Sequence, residues 1–399
     1  MKKAVALLLI FPLLLLGGCD FEKKTSFSSS SPPKKEIIEE TDEEMRGIWM
    51  SYIELDFSGK SDSEFKKEID KRMNNIKNFG LNTVIVQARA NCDSAYLSDY
   101  FSLMKGLSGL NIDPLKYIVD SAHKRSLKIH AWINPYRISA VSEKPDYEAD
   151  TTVGKWLSTS SEEILHANGG CYLNPSSENV RALIINGVRE IIENYDVDGI
   201  QIDDYFYPTT DENFDKNSYN KYKENVEIPL SLAEWRRLQV NLLVADLYRT
   251  VHKKEGIIFG ISPSAGISND FSDDNYSKYY ADIYLWISQN NFADYIAPQI
   301  YFGYNYPVKD FTFDTLLKKW CNAKSNKNEE LYIGLAAYKL GKEDAGSSEW
   351  TDNRDILKKQ ITDSRKFGTD GFILYSYSYV FSEDEPNKSA RKELKSLLE

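Results

Sequence analysis

The chain is poor in the residues that usually announce a metal or redox centre: its 399 residues include 4 cysteines and 4 histidines. His123, His130, His166 and His252 match no zinc-ligand spacing, no two cysteines stand at metal-ligand spacing, and no segment resembles a calcium loop. No metal and no cofactor are therefore expected. Cys92, Cys171 and Cys321 are an odd number that cannot all pair within one chain, and they read as small packing residues. Positive charge is short as well. Lys and Arg number 49 against 60 Asp and Glu, a net charge of −11, and deleting residues 1–18 removes Lys2 and Lys3 but no acid, taking it to −13. A surface of that sign excludes nucleic acid as a partner, because phosphate binding needs a basic face. No glycine-rich phosphate loop follows the first apolar segment, where Gly47-Ile48-Trp49 stands instead, and that argues against an open nucleotide-binding sheet.

The conspicuous apolar run, Ala4 to Leu16, is too short to cross a bilayer. It follows Lys2 and Lys3 and precedes Leu16-Gly17-Gly18-Cys19, an arrangement that resembles a bacterial lipoprotein signal. Residues 1–18 are thus expected to be a signal peptide, with lipidation of Cys19 and an extracytoplasmic chain anchored to the cell membrane. Residues 19–44 are rich in Ser, Lys, Glu and Pro and bury too little to order themselves. As a disordered tether they reach about 30 Å root-mean-square. The remaining domain is 45–399.

There the apolar pattern becomes regular. Strand-like runs are expected at 45–52, 82–89, 128–136, 199–205, 257–264, 295–301, 330–338 and 371–379, each followed by a segment of helical spacing: 62–79, 114–125, 178–195, 232–253, 276–290, 311–323, 353–367 and 387–398. Strict strand-helix alternation predicts a parallel sheet, and the count of eight predicts closure into an α/β (β/α)8 TIM barrel. Side chains along a strand alternate between faces. If the continuous apolar set faces the helices, the inward sets are Thr83, Ile85, Gln87, Arg89; His130, Trp132, Asn134; Gln201, Asp203; and Tyr295, Ala297, Gln299, Tyr301. Each turns polar toward its C-terminal end, where barrel enzymes keep their active sites. The long connections 138–177 and 206–231 leave from the same end, as binding walls or as decorative insertions.

The chain is organised around Val197-Asp198-Gly199-Ile200-Gln201-Ile202-Asp203-Asp204-Tyr205-Phe206-Tyr207-Pro208, an apolar strand that ends in two acids and a run of aromatics. Asp203 points inward, where an unpaired charge would be too costly unless solvated or functional. Asp204 falls in the opposite phase and either caps a turn or shares the site. The 26 Tyr and 7 Trp supply faces suited to sugar rings, although aromatics also fill cores.

Arg46-Gly47-Ile48-Trp49, Gln87-Ala88-Arg89 with Asp93-Ser94-Ala95-Tyr96, His130-Ala131-Trp132-Ile133-Asn134-Pro135-Tyr136-Arg137, Leu173-Asn174-Pro175, the Asp203-Asp204 segment and Ala297-Pro298-Gln299-Ile300-Tyr301 together resemble the glycosyl hydrolase-like 10 family. The match runs from about residue 45 to 379. It implies a secreted or lipid-anchored barrel glycoside hydrolase, with peptidoglycan glycan strands stripped of stem peptides as the expected substrate.

Glycosidases generally use two carboxylates, about 5 Å apart when retaining and more when inverting. Asp203 is the first candidate. Strand five ends Ile261-Ser262-Pro263 and strand seven ends Ala336-Ala337-Tyr338, so neither supplies the usual acid, and Tyr205 stands where a chitinase would carry its Glu. The second carboxylate is then Asp204 or Asp93, ahead of Glu54. Arg89, Asn134, Tyr136, Arg137, Asn174, Tyr205, Gln299, Tyr301 and Tyr338 are candidates for gripping hydroxyls, acetamido groups or a lactyl carboxylate. Arg89 could instead form a structural ion pair with Asp93 or Asp203, and Trp132 could stack on a sugar or pack as a barrel layer. The partner expected is a polysaccharide. Two other readings stand beside this one: a non-catalytic glycan-binding barrel, and a hydrolase of an imported polysaccharide.

Overall fold

The computed structural model describes residues 44–139, 147–324 and 328–398. The expected signal peptide, the expected lipidation site Cys19 and all of the expected tether but Glu44 lie outside them. Eight parallel strands close a barrel: β1 (Met45–Met50), β2 (Thr83–Arg89), β3 (Lys128–Ile133), β7 (Gly199–Ile202), β8 (Ile258–Ile261), β9 (Tyr295–Ile296), β10 (Glu330–Ala336) and β11 (Gly371–Tyr375), with β1 hydrogen-bonded to both β2 and β11. The expected (β/α)8 fold is what forms. The remaining strands β4 (Arg137–Ser139), β5 (Ile164–Ala167) and β6 (Gly170–Leu173) make a small antiparallel sheet in the long connection after β3.

Helix boundaries follow local chemistry. The first long helix, Asp62–Phe79, starts at a Ser61/Glu64 capping box and stops at Gly80, whose φ of 98° is left-handed and suits glycine. Its buried positions Phe65, Ile69, Met73 and Ile76 form one stripe against the barrel. The expected helix 276–290 is instead two single turns, Asp274–Ser277 and Ile283–Trp286, each begun by a capping aspartate. Strands three to eight end earlier than their apolar runs suggested. After β9 the cause is Pro298, which has no N–H for the ladder, so only the isolated bridges of Gln299 to Ser264 and Gly334 continue the sheet.

Two hydrophobic clusters divide along the strand alternation. Ile48, Val84, Val86, Ile129, Ile200, Ile202 and Leu335 face the helices, whereas Met45, Trp49, Ile85, Trp132, Tyr295, Ala297, Tyr332 and Ile373 fill the barrel interior. Bulky rings fit inside because glycine faces them: a Cβ on Gly260 would sit 1.9 Å from the Tyr295 ring, and one on Gly199 2.7 Å from His130. The His130 Nδ1 and Tyr295 hydroxyl lie 3.0 Å apart, and Gln201 Oε1 accepts from Trp49 Nε1 at 3.3 Å. This layer floors the site.

Among the described barrel strands, alternation fails at one residue. Gln87 pairs with Trp132 but Arg89 pairs with Ile133, so Ala88 is the extra residue of a β-bulge. Arg89 is thereby turned from the barrel interior to the helix side.

Candidate active site

The C-terminal ends of the strands deliver the site. Where β7 ends, Asp203 and Asp204 leave the ladder. Asp203 is 3% exposed and is held by donors on every side: Trp132 Nε1–H at 2.8 Å and Asn134 Nδ2 at 3.3 Å to Oδ2, and the Tyr205 N–H at 3.2 Å to Oδ1. Asn134 in turn accepts from the Arg137 N–H at 3.0 Å, so one buried amide fixes both the acid and the turn that carries the arginine. Asp204 is partly exposed and, with Arg137, Tyr172, Tyr205 and Tyr279, lines a cavity of about 180 Å³.

Burial is the main cause that pushes Asp203 up to about 7, with the neighbouring Asp204 charge adding to it and Arg137 and the Trp132 hydrogen bond opposing it. Burial also pushes Asp204 up to about 6, opposed by Gln299 and Arg137. Two adjacent carboxyls that titrate near neutrality can hold one proton between them, and the titration belongs to the pair. Arg137 is the nearby cation. Its guanidinium lies 4.5 Å from the Tyr205 ring centre, Nη2 donates to the Ala90 carbonyl at 3.3 Å, and buried Nε has no partner among the described residues.

An aromatic wall faces this pair. Tyr301 meets Tyr338 at 5.7 Å and Tyr375 at 5.8 Å between ring centres, and Tyr338 meets Tyr379 at 6.1 Å. Tyr205 is 48% exposed at the mouth. The structure therefore gathers Asp203, Asp204, Arg137, Tyr205, Gln299, Tyr301 and Tyr338 at one end of the barrel. Tyr375, Tyr379, Tyr52, Tyr172 and Tyr279 join them without having been singled out. Tyr375 shares its phase with inward Ile373, so strand alternation could have found it; the others sit on loops that carry no period.

Other expectations are corrected. Arg89 is fully buried with its guanidinium 3.7 Å from the Phe101 ring centre against the helix Glu178–Asn194, and forms neither a sugar grip nor an ion pair with Asp93 or Asp203. The bulge at Ala88 is the reason. Tyr136 is 1% exposed among the helix-facing core residues, with its hydroxyl enclosed. Asn174 is a buried clasp, donating to the Glu162 carbonyl and Ser218 Oγ, both at 3.0 Å. Asn134 and Trp132 serve Asp203 from buried positions and offer no face to a sugar. Asp93 borders a different cleft, and its Oδ1 accepts from the Ala90 and Asn91 N–H groups at 3.2 and 2.9 Å. Glu54 is consumed structurally: Ser51 N donates to it at 2.6 Å, Ser376 Oγ at 2.8 Å and Ser378 N at 2.5 Å, tying the end of β1 to the end of β11.

Among the described residues no three His, Cys, Asp or Glu side chains come together as a metal-ligand set, and no helix is long and apolar enough to cross a membrane.

Comparison with known proteins agrees with this geometry. Glycosyl hydrolase YngK of Bacillus subtilis (strain 168) is 32% identical over 355 residues, covering 82% of this chain and 66% of the relative, so the chain spans just under two thirds of that protein. Glycosyl hydrolase DigH of Escherichia coli (strain K12) is 31% identical over 407 residues, 90% of this chain and 88% of the relative. Among solved structures, the glycoside hydrolase domain of PgaB (BpsB) from Bordetella bronchiseptica superposes with a TM-score of 0.60 at 12% identity, covering 88% of this chain and 99% of that one, a likeness of fold. The family model described as Glycosyl hydrolase-like 10 matches residues 44–352, and the chain belongs to that family.

Proposed function

We propose that the chain hydrolyses O-glycosidic bonds of a cell-envelope glycan, namely peptidoglycan strands stripped of their stem peptides, with Asp203 and Asp204 as the acid/base pair. The observation that carries this reading is a pair of adjacent carboxyls, both pushed into the neutral range, at the mouth of a barrel lined with tyrosine. Accessibility divides the labour. Asp204 borders the cavity and delivers the proton to the leaving oxygen. Asp203, surrounded by donors, carries the negative charge as the C1–O bond breaks and opposes the positive charge that develops on the sugar, or aligns an acetamido group that attacks in place of the enzyme. Water then adds to the anomeric carbon and gives a proton back to Asp204, which restores the starting pair. Arg137 keeps the pair from taking up a second proton near neutrality. The names of the bacterial relatives, each a glycosyl hydrolase, support the reaction class.

The same reading places the barrel outside the cell membrane, held by lipid on Cys19 and the tether up to residue 44. Intact-mass analysis of detergent-extracted chain would reveal the lipid; a chain that retains residues 1–18 unmodified would remove this part.

The test of activity is incubation of the purified chain with intact and amidase-stripped peptidoglycan, followed by mass spectrometry of released fragments. Release from stripped strands that disappears in Asp203→Asn and Asp204→Asn supports the proposal. Binding without release makes the barrel a glycan-recruiting module, and neither binding nor release points to a different polysaccharide.

A further inference from the structure

The loops that follow β1 and β2 enclose a second cleft of about 470 Å³, bordered by Tyr52, Ile53, Asp56, Asn91, Asp93 and Lys105. Its wall is the single helical turn Tyr52–Leu55, which is rigidly held. Two hydrogen bonds to Glu54, from Ser376 Oγ and Ser378 N, tie it to the end of β11, the Ser51 N–H caps it locally, and the Tyr52 N–H donates to Gln87 Oε1 at 3.1 Å. This bracing holds two apolar side chains in solvent, Tyr52 at 39% and Ile53 at 67% exposed. The pair presents a fixed apolar face beside the cleft. The polar side of the cleft is equally prepared. The Ala90 and Asn91 N–H groups go to Oδ1, no side chain of the described residues donates to Oδ2, and burial raises the pKa of this carboxyl against its backbone hydrogen bonds and the Arg89 charge.

The cleft neighbours the catalytic one across Tyr52 and Arg137. Tyr52 borders it and also lies 6.0 Å from the guanidinium of Arg137, which lines the Asp204 cavity. An apolar face opposite a carboxylate oxygen matches a pyranose, whose ring face is apolar and whose edge carries hydroxyl and amide donors.

We propose that this cleft is a second sugar subsite, which holds an N-acetylated pyranose of the same glycan away from the scissile linkage, with its ring face on Tyr52 and Ile53 and a hydroxyl or amide donated to Asp93 Oδ2. The proposal rests on the glycan-hydrolase reading above. It makes Asp93 a binding residue and not a proton donor, and it favours chains long enough to reach both clefts.

The experiment is calorimetry of the full chain carrying Asp203→Asn, which prevents turnover, with β-1,4-linked N-acetylglucosamine as the disaccharide and the hexasaccharide. The hexasaccharide should bind about tenfold more tightly, the worth of one added stacking contact and hydrogen bond. Adding Ile53→Ser or Asp93→Asn should cut that gain to about twofold. Both changes are mild to the fold, since Ile53 is exposed and asparagine retains the Oδ1 acceptor that the turn uses; thermal melts check this. A gain with length that survives both substitutions, no gain, or no binding of either oligomer overturns the subsite. The cleavage reading is judged separately: failure of the unmodified chain to release fragments from stripped strands, beside a length gain that Asp93→Asn removes, overturns cleavage and leaves the subsite standing.

Discussion

Replacing Trp132 with phenylalanine would separate the roles of the two aspartates. The indole N–H lies 2.8 Å from Asp203 Oδ2, and its ring belongs to the barrel interior, so Trp132→Phe deletes the donor and keeps most of the packing. A hydrogen bond to an ionised carboxylate contributes about 1.5–3 kcal/mol, and one pKa unit is about 1.4 kcal/mol. Losing it raises the cost of charge on Asp203 by about 1–2 units. The pair titrates in two steps, near 6 and near 7. Asp203 is the higher of the two, so the single proton of the pair rests mainly there, the step near 7 is its loss from Asp203 and the step near 6 is the loss from Asp204. Trp132→Phe should therefore carry the alkaline limb of the pH profile of kcat/KM from about 7 to roughly 8–9 and leave the acid limb near 6. If the working arrangement is the minor one, with its proton on Asp204 and its charge on Asp203, its share of the singly protonated pair falls by the same 1–2 units and the plateau drops about ten- to a hundredfold. The assay is release of reducing ends from stripped strands between about pH 4.5 and 10. A raised alkaline limb with an unchanged plateau would place the working proton on Asp203 and refute the assignment; two stationary limbs would remove Trp132 from the electrostatics altogether.

Arg137 opposes the rise of both carboxyls, so Arg137→Gln should move both limbs upward, by about one unit, a pattern distinct from that of Trp132→Phe. Glu329 is 2% exposed, neither oxygen has a hydrogen-bond partner among the described residues, and burial pushes it up to about 8 from 4.5. A raised acid favours the protonated folded state. Stability is therefore full below about pH 4.5 and lost as pH rises through 8, and Glu329→Gln should recover about 4 kcal/mol at pH 9, or about 5 °C in Tm; parallel melting-versus-pH curves would contradict this. Arg236 and Asp215 form a fully buried ion pair, so Arg236→Met should cost about 3–5 kcal/mol in urea unfolding by stranding the carboxylate behind the Tyr207 loop.

The alternation of the strands made much of this legible. Ile85, Trp132, Gln201, Asp203, Tyr295 and Ala297 line the interior because a period of two leaves a side chain no other choice while the ladder stays regular. Arg89 shows where that rule ends: one extra residue, Ala88, reverses the face of everything after it, and no local signal distinguishes that alanine from its neighbours. Alternation turns Asn134 and Trp132 inward, but their use in holding Asp203 depends on distances between strands, which one strand's sequence does not carry. The small sheet β4–β6 and the split of 276–290 into two turns escaped for a related reason. Both are set by long-range packing over short segments, where capping aspartates outweigh helical spacing.

The ring-filled floor of the barrel also governs traffic. Trp49, Tyr295 and Tyr332 are at most 4% exposed beneath the acids, so the site is a cup with no drain. Glycan, leaving fragment and hydrolytic water must all use the same opening. On the proposed reading in which an acetamido group attacks first, water reaches the cleaved end only after the departing fragment has withdrawn, so a residue at the rim that speeds its departure would also set how fast the second half is released to solvent.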